Sequence, residues 1–306
     1  MFIINNKKIF LTVAAFIAAC ALGAVAFFGL NFGIEFTGGS MLQVSYDEEN
    51  VPSFNEVQEI VRSVDPERSF VVQETGEEGY IIRTETLDED ERVELLQALS
   101  FNGFEANEER FSSIGPSIGA ELANKALVAI ILVVTAIILF IAYVFRRVSQ
   151  PVSSWRYGIT AIVALFFDII VPVGLFAVLG HLFGAEIDVL FVTALLAILG
   201  FSVNDTIVVF DRIRENLRIN KEFRIDKSFS RTVGESLEQT FVRSINTSLT
   251  TLFVLVTLFF VGPEVTQWFA LVLMTGVVAG TYSSLFLASP ILVLLEERQR
   301  KKEDLQ

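Results

Sequence analysis

The sequence is poor in the residues that build most chemical sites. Its 306 residues include one cysteine, Cys20, and one histidine, His181. A single cysteine excludes an internal disulfide, and a single histidine excludes a His-rich metal centre. No G-x-x-x-x-G-K-[ST] segment occurs, and Thr37-Gly38-Gly39-Ser40 is no phosphate loop, so no visible feature uses ATP. No Ser/His, paired-Asp or metal constellation marks an enzyme. Basic residues are scarce where acids are dense. Residues 31–124 hold 21 Asp and Glu against five Arg, a net of −16, while the rest of the chain carries +3. A surface that negative repels phosphate, which excludes a nucleic-acid partner.

What the chain has in abundance is apolar. Hydrophobic residues make up 52% of it, 29 of them Phe, and the mean hydropathy is +0.56. They gather into long uncharged runs, and a helix needs about 20 such residues to cross a bilayer core. Six stretches qualify: Ile9–Leu30, Ala126–Phe145, Gly158–Leu179, Leu190–Phe210, Ile245–Val261 and Ala270–Leu295. The expected organisation is residues 1–8 as a cytoplasmic N-terminus, 9–30 as the first span, 31–124 as an acidic extracytoplasmic domain, and 125–306 as a five-helix bundle with a cytoplasmic tail. Ile17-Ala18-Ala19-Cys20 after two lysines has the look of a lipoprotein cleavage site. The apolar run continues ten residues past Cys20, so the stretch is expected to stay as an uncleaved anchor.

Flanking charge sets the expected orientation. Lys7 and Lys8 precede the first span; Arg146, Arg147 and Arg156 lie between the second and third. Arg212 through Arg243 cluster between the fourth and fifth, and Arg298, Arg300, Lys301 and Lys302 close the chain. The connections 180–189 and 262–269 hold no Lys or Arg. By the positive-inside bias both termini are cytoplasmic and the acidic domain is outside. Lys125 dissents, at a place where it can snorkel to the interface.

The acidic domain reads as strand Met41–Tyr46, helix Ser53–Val64, strands Ser69–Gln73 and Tyr80–Thr84, helix Asp88–Leu99 and strand Phe104–Ser112. Ser53 and Asp88 are expected N-caps, and glycines 76 and 79 bound a turn. The order βαββαβ is the split-βαβ, or ferredoxin-like, pattern. The fold class expected is therefore an α-helical membrane protein with six spans plus a small α+β ferredoxin-like extracytoplasmic domain.

Charge near the bilayer centre costs roughly 2.5–3.5 kcal/mol on insertion scales, so each instance calls for a reason. Asp205 lies about 9 Å inside its expected helix end. Asp168 sits mid-way along the third span, and Arg243 opens the fifth, where its long side chain reaches inward. Asp205 and Arg243 are expected to meet if the fourth and fifth helices are neighbours. Arg243, Asn246, Thr247, Thr250 and Thr251 recur at helical spacing on one face, and Ser202, Asn204 and Thr206 flank Asp205. Gly276-x-x-x-Gly280 followed by Ser283 and Ser284 makes a strip that admits close helix approach. Together these describe a polar seam inside a bundle. The seam is either a structural ion pair or a proton carrier in which movement of the arginine switches protonation of the acid.

Several segments resemble the SecD/SecF family of bacterial protein-export membrane subunits. They are Asn31-Phe-Gly-Ile-Glu-Phe-Thr-Gly-Gly-Ser40, Ile114-Gly-Pro-Ser-Ile-Gly-Ala-Glu-Leu122, Gly200-Phe-Ser-Val-Asn-Asp-Thr-Ile-Val-Val-Phe-Asp-Arg-Ile-Arg-Glu-Asn216, Arg243-Ser-Ile-Asn-Thr-Ser248 and Gly280-Thr-Tyr-Ser-Ser284. The resemblance implies the six-span half of the resistance–nodulation–division superfamily, in the inner membrane, pairing with SecD at the SecYEG channel. It implies use of proton flow to help draw translocating unfolded polypeptides outward, with no cofactor. Asp205 matches the family's intramembrane acid and Arg243 its basic partner. Glu35 stands where the family often has Asp, and Phe167 stands where it commonly has His before the third-span acid. The alternatives are half of a small-molecule or lipid exporter, and a scaffold subunit that passes no ions.

Overall fold

The structure is a computed structural model that describes residues 1–47, 50–76, 79–144 and 154–303. Phe145, Arg146 and Arg147, invoked above for the end of the second span and its flanking charge, lie outside the described residues. In chain order the elements are α1 Phe2–Asn5, α2 Lys7–Phe28, α3 Ile34–Thr37, β1 Gly39–Ser45, α4 Phe54–Val64, β2 Val71–Thr75, β3 Gly79–Thr84, α5 Glu89–Leu99 and β4 Asn107–Ile114. The long helices follow: α6 Pro116–Val144, α7 Ser154–Phe183, α8 Val189–Glu222, α9 Phe229–Val261 and α10 Glu264–Tyr282. A π-helical turn, Ser283–Ala288, then leads into α11 Ser289–Glu303. The chain forms two compact units. One comprises Met1–Leu30, Ala129–Ala185 and Leu190–Gln306; the other is Asn31–Val128 together with Glu186–Val189.

In the second unit, β1 to β4 form one antiparallel sheet in the order β2-β3-β1-β4. Alternation along β1 turns Leu42 and Val44 inward, where they meet Val57 and Val61 of α4, Ile82 of β3, and Leu95 and Leu99 of α5. Each such burial is worth about 1.5–3 kcal/mol. Both helices begin with reciprocal capping boxes. The Ser53 amide donates to Glu56 Oε2 at 2.9 Å and the Asp88 amide to Glu91 Oε2 at 2.9 Å, while each cap side chain accepts from the N3 amide. Two tyrosines bury their rings and keep a partner for the hydroxyl: Tyr46 donates to the Leu99 carbonyl and Tyr80 to that of Pro52. Burial pushes the Tyr46 phenol up to about 12.

The paired glycines of Thr37-Gly38-Gly39-Ser40 have a steric reason. Their φ angles are +75° and +126°, which side chains rarely adopt. A Cβ on Gly38 would stand 2.8 Å from the Pro116 Cα, and one on Gly39 2.6 Å from the Thr84 carbonyl oxygen.

Residues 186–189, which the sequence presents only as part of a connection, pack within this unit. Ile187 forms a parallel bridge with Phe32: the Ile187 amide donates to the Asn31 carbonyl at 2.7 Å, and the Gly33 amide to that of Ile187 at 3.0 Å. Glu186 pairs with Arg83 at 2.5 Å, both mostly buried, and Glu35 accepts from the Val189 amide at 2.7 Å. Burial raises the pKa of Glu186 above its usual value, a shift that Arg83 opposes and that Asp188 and Glu35 reinforce.

In the first unit the long helices dominate. Among the described residues six stretches are long and apolar enough to cross a membrane: Lys7–Phe28, Pro116–Val144, Arg156–Phe183, Val189–Glu222, Phe229–Val261 and Thr266–Lys301. The fourth and fifth run well past the expected Leu190–Phe210 and Ile245–Val261. Charged residues end an apolar run but not a helix, so α8 continues to Glu222 and α9 begins at Phe229, capped by Ser228. These polar ends are joined by Asn216 to Ser236 at 2.8 Å, Asn220 to Thr232 at 3.0 Å and Arg212 to Gln239 at 2.6 Å. Small residues allow close helix approach elsewhere. Gly174 of α7 lies against Ala21 of α2, and Gly276 and Gly280 of α10 lie against Ile198 and Ser202 of α8.

Candidate functional site

Helix α9 carries two polar stripes, and the fold distinguishes them. Thr232, Ser236, Thr240, Ser244 and Ser248 recur every fourth residue and are all buried. Arg243, Asn246, Thr247 and Thr250 form the other stripe and are exposed on the surface of the unit. In an apolar helix a buried hydroxyl ordinarily donates back to the carbonyl four residues earlier. Ser236, Thr240 and Ser248 do so, at 2.7, 3.0 and 2.9 Å. Ser244 instead turns across to α8 and donates to Asp205 Oδ1 at 2.6 Å.

A second serine behaves in the same way. Ser202 of α8 is buried and donates to Asp168 Oδ2 on α7. Asp168 is 0% exposed and Asp205 9%. Asp205 Oδ2 is buried with no hydrogen-bond partner among the described residues, while Asp168 also has the Ser283 hydroxyl beside it. Around them lie Thr206, whose hydroxyl is 3.5 Å from that of Ser284, and Ser248, whose hydroxyl is 2.5 Å from that of Thr281. Ser283 and Ser284 are fully buried and bond back to the Gly280 carbonyl.

The backbone is irregular on both sides of this cluster. Pro172 stands four residues after Asp168 inside α7 and has no amide to donate to the Asp168 carbonyl. The π turn Ser283–Ala288 interrupts the last span where its serines enter the cluster. Irregular helix turns of this kind concentrate at functional sites.

The expected pairing of Asp205 with Arg243 is corrected by this geometry. No ion pair joins them among the described residues. Successive residues on a helix differ by about 100°, so directing Ser244 at Asp205 turns its neighbour Arg243 away. The guanidinium lines a cavity of about 310 Å³ with Val208, Asp211, Arg212, Glu215, Gln239 and Thr240. The seam expected inside the bundle is thus divided. Ser202, Thr206, Ser283 and Ser284 are buried with the two aspartates, whereas Asn204, Asn246, Thr247 and Thr250 face outward. Ser244, Ser248 and Thr281 were missed by the sequence reading, although an every-fourth-residue run of small hydroxyls along α9 is a legible signal.

The comparisons with known proteins converge on one family. The C-terminal model of the protein export membrane proteins SecD and SecF matches residues 95–298, and the SecD/SecF GG motif matches residues 23–49. Protein translocase subunit SecF of Thermobaculum terrenum is 45% identical over 284 residues, covering 89% of this chain and 86% of that protein. SecF of Anaerolinea thermophila is 36% identical over 297 residues, covering 96% and 94%. A crystal structure of SecDF, described as a translocon-associated membrane protein, from Thermus thermophilus aligns with a TM-score of 0.79 at 30% identity. It covers 96% of this chain, and this chain spans 38% of the SecDF length. SecDF in its super-membrane-facing form aligns at a TM-score of 0.69 and 28% identity. The chain belongs to the SecD/SecF family of protein export membrane proteins.

Proposed function

We propose that this chain is a protein translocase subunit that pairs with a SecD-type subunit and uses the proton gradient to promote late steps of translocation across the bacterial inner membrane. The observation that carries the pairing is the exposed stripe Arg243, Asn246, Thr247 and Thr250 on a membrane-crossing helix, with Asn204 exposed on α8. A guanidinium on the lipid-facing surface of a membrane-crossing helix is costly, and a second polar surface removes that cost. A chain that spans 38% of the SecDF length has room for such a partner.

In this proposal the six spans are one half of a twelve-span transporter of the resistance–nodulation–division type, with the site at the junction of the halves. The strand order β2-β3-β1-β4 within βαββαβ supports a ferredoxin-like fold for the acidic unit, which lies outside. Basic flanks support cytoplasmic termini. Protons are the coupling ion, and no cofactor is involved.

Asp205 is the proton carrier. Among the described residues it accepts from the Ser244 hydroxyl and has no cation partner. Arg243 adjoins the serine that holds it, so a modest turn of α9 exchanges hydroxyl for guanidinium at the carboxylate. That exchange favours proton release. The partner is then the SecYEG channel on one side and an unfolded polypeptide on the other.

The test is secretion from membrane vesicles after the ATP-driven stage has been stopped. The reading expects the remaining translocation to require both subunits and to cease when an ionophore collapses the proton gradient. Translocation that is indifferent to the gradient would make the chain a scaffold.

A further inference from the structure

We infer that the open face of the β2-β3-β1-β4 sheet is where the acidic unit contacts the translocating polypeptide, received as an extended, unfolded segment. Alternation along the strands gives the sheet two unlike faces. Leu42, Val44, Tyr80 and Ile82 point to the face that packs on α4 and α5. The residues between them point to the other face. Its central row runs Gln73, Ile81, Gln43 and Arg110 across the four strands in register. The rows on either side, beginning at Val71 and Thr75, add one further charge, Arg83, and no carboxylate. Glu109 is the extra residue of the bulge in β4 and stands opposite no residue of β1. Glu186 reaches the border of the face, at Arg83.

In a segment that holds 21 Asp and Glu, a sheet face without one is the informative feature. The helix side is built differently: Glu56, Glu59, Glu89, Asp90, Glu91 and Glu94 all lie on α4 and α5. A carboxylate only accepts and is strongly hydrated, so covering it with another chain leaves a costly unpaired charge. A side-chain amide both donates and accepts, and so meets either polar group of any peptide bond. Gln43, at the centre of the row and half-buried, has no side-chain hydrogen bond among the described residues. Amides, hydroxyls and guanidiniums read the backbone more than the side chains, which suits a polypeptide whose sequence changes as it passes. Size points the same way. Three rows across four strands measure about 15–20 Å on a side, on the order of 300–400 Å². Each partner of a stable folded complex buries about 800 Å². The face is too small to hold a folded domain, yet it accommodates about five or six extended residues at roughly 3.3 Å each.

The inference deepens the translocation reading and rests on it for the identity of the polypeptide. The test uses the full chain, assembled with its SecD-type partner in lipid vesicles, with a secretory polypeptide arrested midway through translocation. A photoreactive phenylalanine analogue replaces Gln43 or Arg110 on the open face, or Glu59 or Glu94 on the helix side. The two open-face positions should crosslink to the arrested polypeptide and the two helix-side positions should not. Gln43→Glu keeps the shape and removes a donor. It should lower the crosslink from position 110 by about fivefold, the worth of one hydrogen bond. The same exchange on α4, Gln58→Glu, should leave that crosslink unchanged.

Equal crosslinking from both sides, or open-face crosslinks that reach only the partner subunit or a second copy, overturns the inference. A crosslink indifferent to Gln43→Glu, in a unit whose α4 amides stay protected, also overturns it. Should Gln43→Glu fail to fold, the four native-background positions decide. Face-specific crosslinks in vesicles whose translocation ignores the proton gradient would support the face and sink the proton-driven reading. Gradient-dependent translocation without face-specific crosslinks would sink the face alone.

Discussion

The two units of this chain treat the carboxylate in opposite ways. In the sheet-bearing unit, acids crowd the surface and are satisfied locally. Glu56 and Glu91 close capping boxes, and Arg68 and Arg92 bridge neighbouring acids. In the helical unit Asp168 and Asp205 are buried, accept from the Ser202 and Ser244 hydroxyls, and have no cation partner among the described residues. Exposed ion pairs contribute little and tolerate loss. The same functional group is thus a solubilising and capping device in one unit and a buried partner for serine hydroxyls in the other. What differs is the solvent.

The comparison sharpens most under substitutions that alter packing. A leucine at Gly276 must displace Ile198, so Gly276→Leu should destabilise the helical unit by about 1–3 kcal/mol. Thermal unfolding in detergent checks this, and a value near zero would mean that α8 and α10 are not close-packed. A cap in the acidic unit is worth less. Ser53→Ala should cost about 1 kcal/mol, read as faster amide exchange in α4 with α8 and α9 unaffected.

A pH series separates the carboxylates within the sheet-bearing unit itself. Hydrogen bonds from Ser53 lower the pKa of Glu56, and those from Arg68 and the Asp88 amide lower that of Glu91. The stabilisation they give is present above the ordinary Glu value of 4.5 and is lost as pH falls through their lowered values. Glu186 has the opposite sign. Its raised pKa means that the folded state holds the extra proton, so stability declines as pH rises from 4.5 through the raised value. Amide protection, taken relative to the intrinsic exchange rate at each pH, should therefore fall on acidification in residues 54–64 and 89–99 and rise in residues 31–36 and 186–189. A common direction in all four would contradict the assignment.

The smallest effect belongs to the exposed stripe. Arg243→Ala should change the stability of the isolated chain by less than about 0.5 kcal/mol, because Asp205 does not depend on it in this conformation. The same substitution should weaken assembly with the partner, measured as lost co-purification. A large destabilisation of the isolated chain would restore the direct ion pair.

Much of this arrangement was legible in the sequence because its physics is local. Apolar runs announced six spans, and alternation with turn residues and two caps placed the strands and helices of the acidic unit within a few residues. Asp168 and Asp205 stood out because charge inside an apolar run is costly. Helix ends were misjudged where α8 and α9 leave the apolar run, since helical hydrogen bonding continues through charged residues. The direction of α9 was not legible. Spacing shows that Arg243, Asn246, Thr247 and Thr250 share a face, but a second stripe through Ser244 has the same period, and only packing decides which turns inward. The π turn and the pairing of Arg83 with Glu186 join residues with no sequence signal between them.

The central claim, that a buried acid on α8 carries the coupling proton, is tested most directly by replacing Asp205 with asparagine, which keeps shape and the Ser244 hydrogen bond while removing the charge change. With the assembled complex in vesicles, translocation driven by the proton gradient alone should fall to the level seen without a gradient. Translocation at the native rate, from a variant inserted and paired normally, would contradict the account.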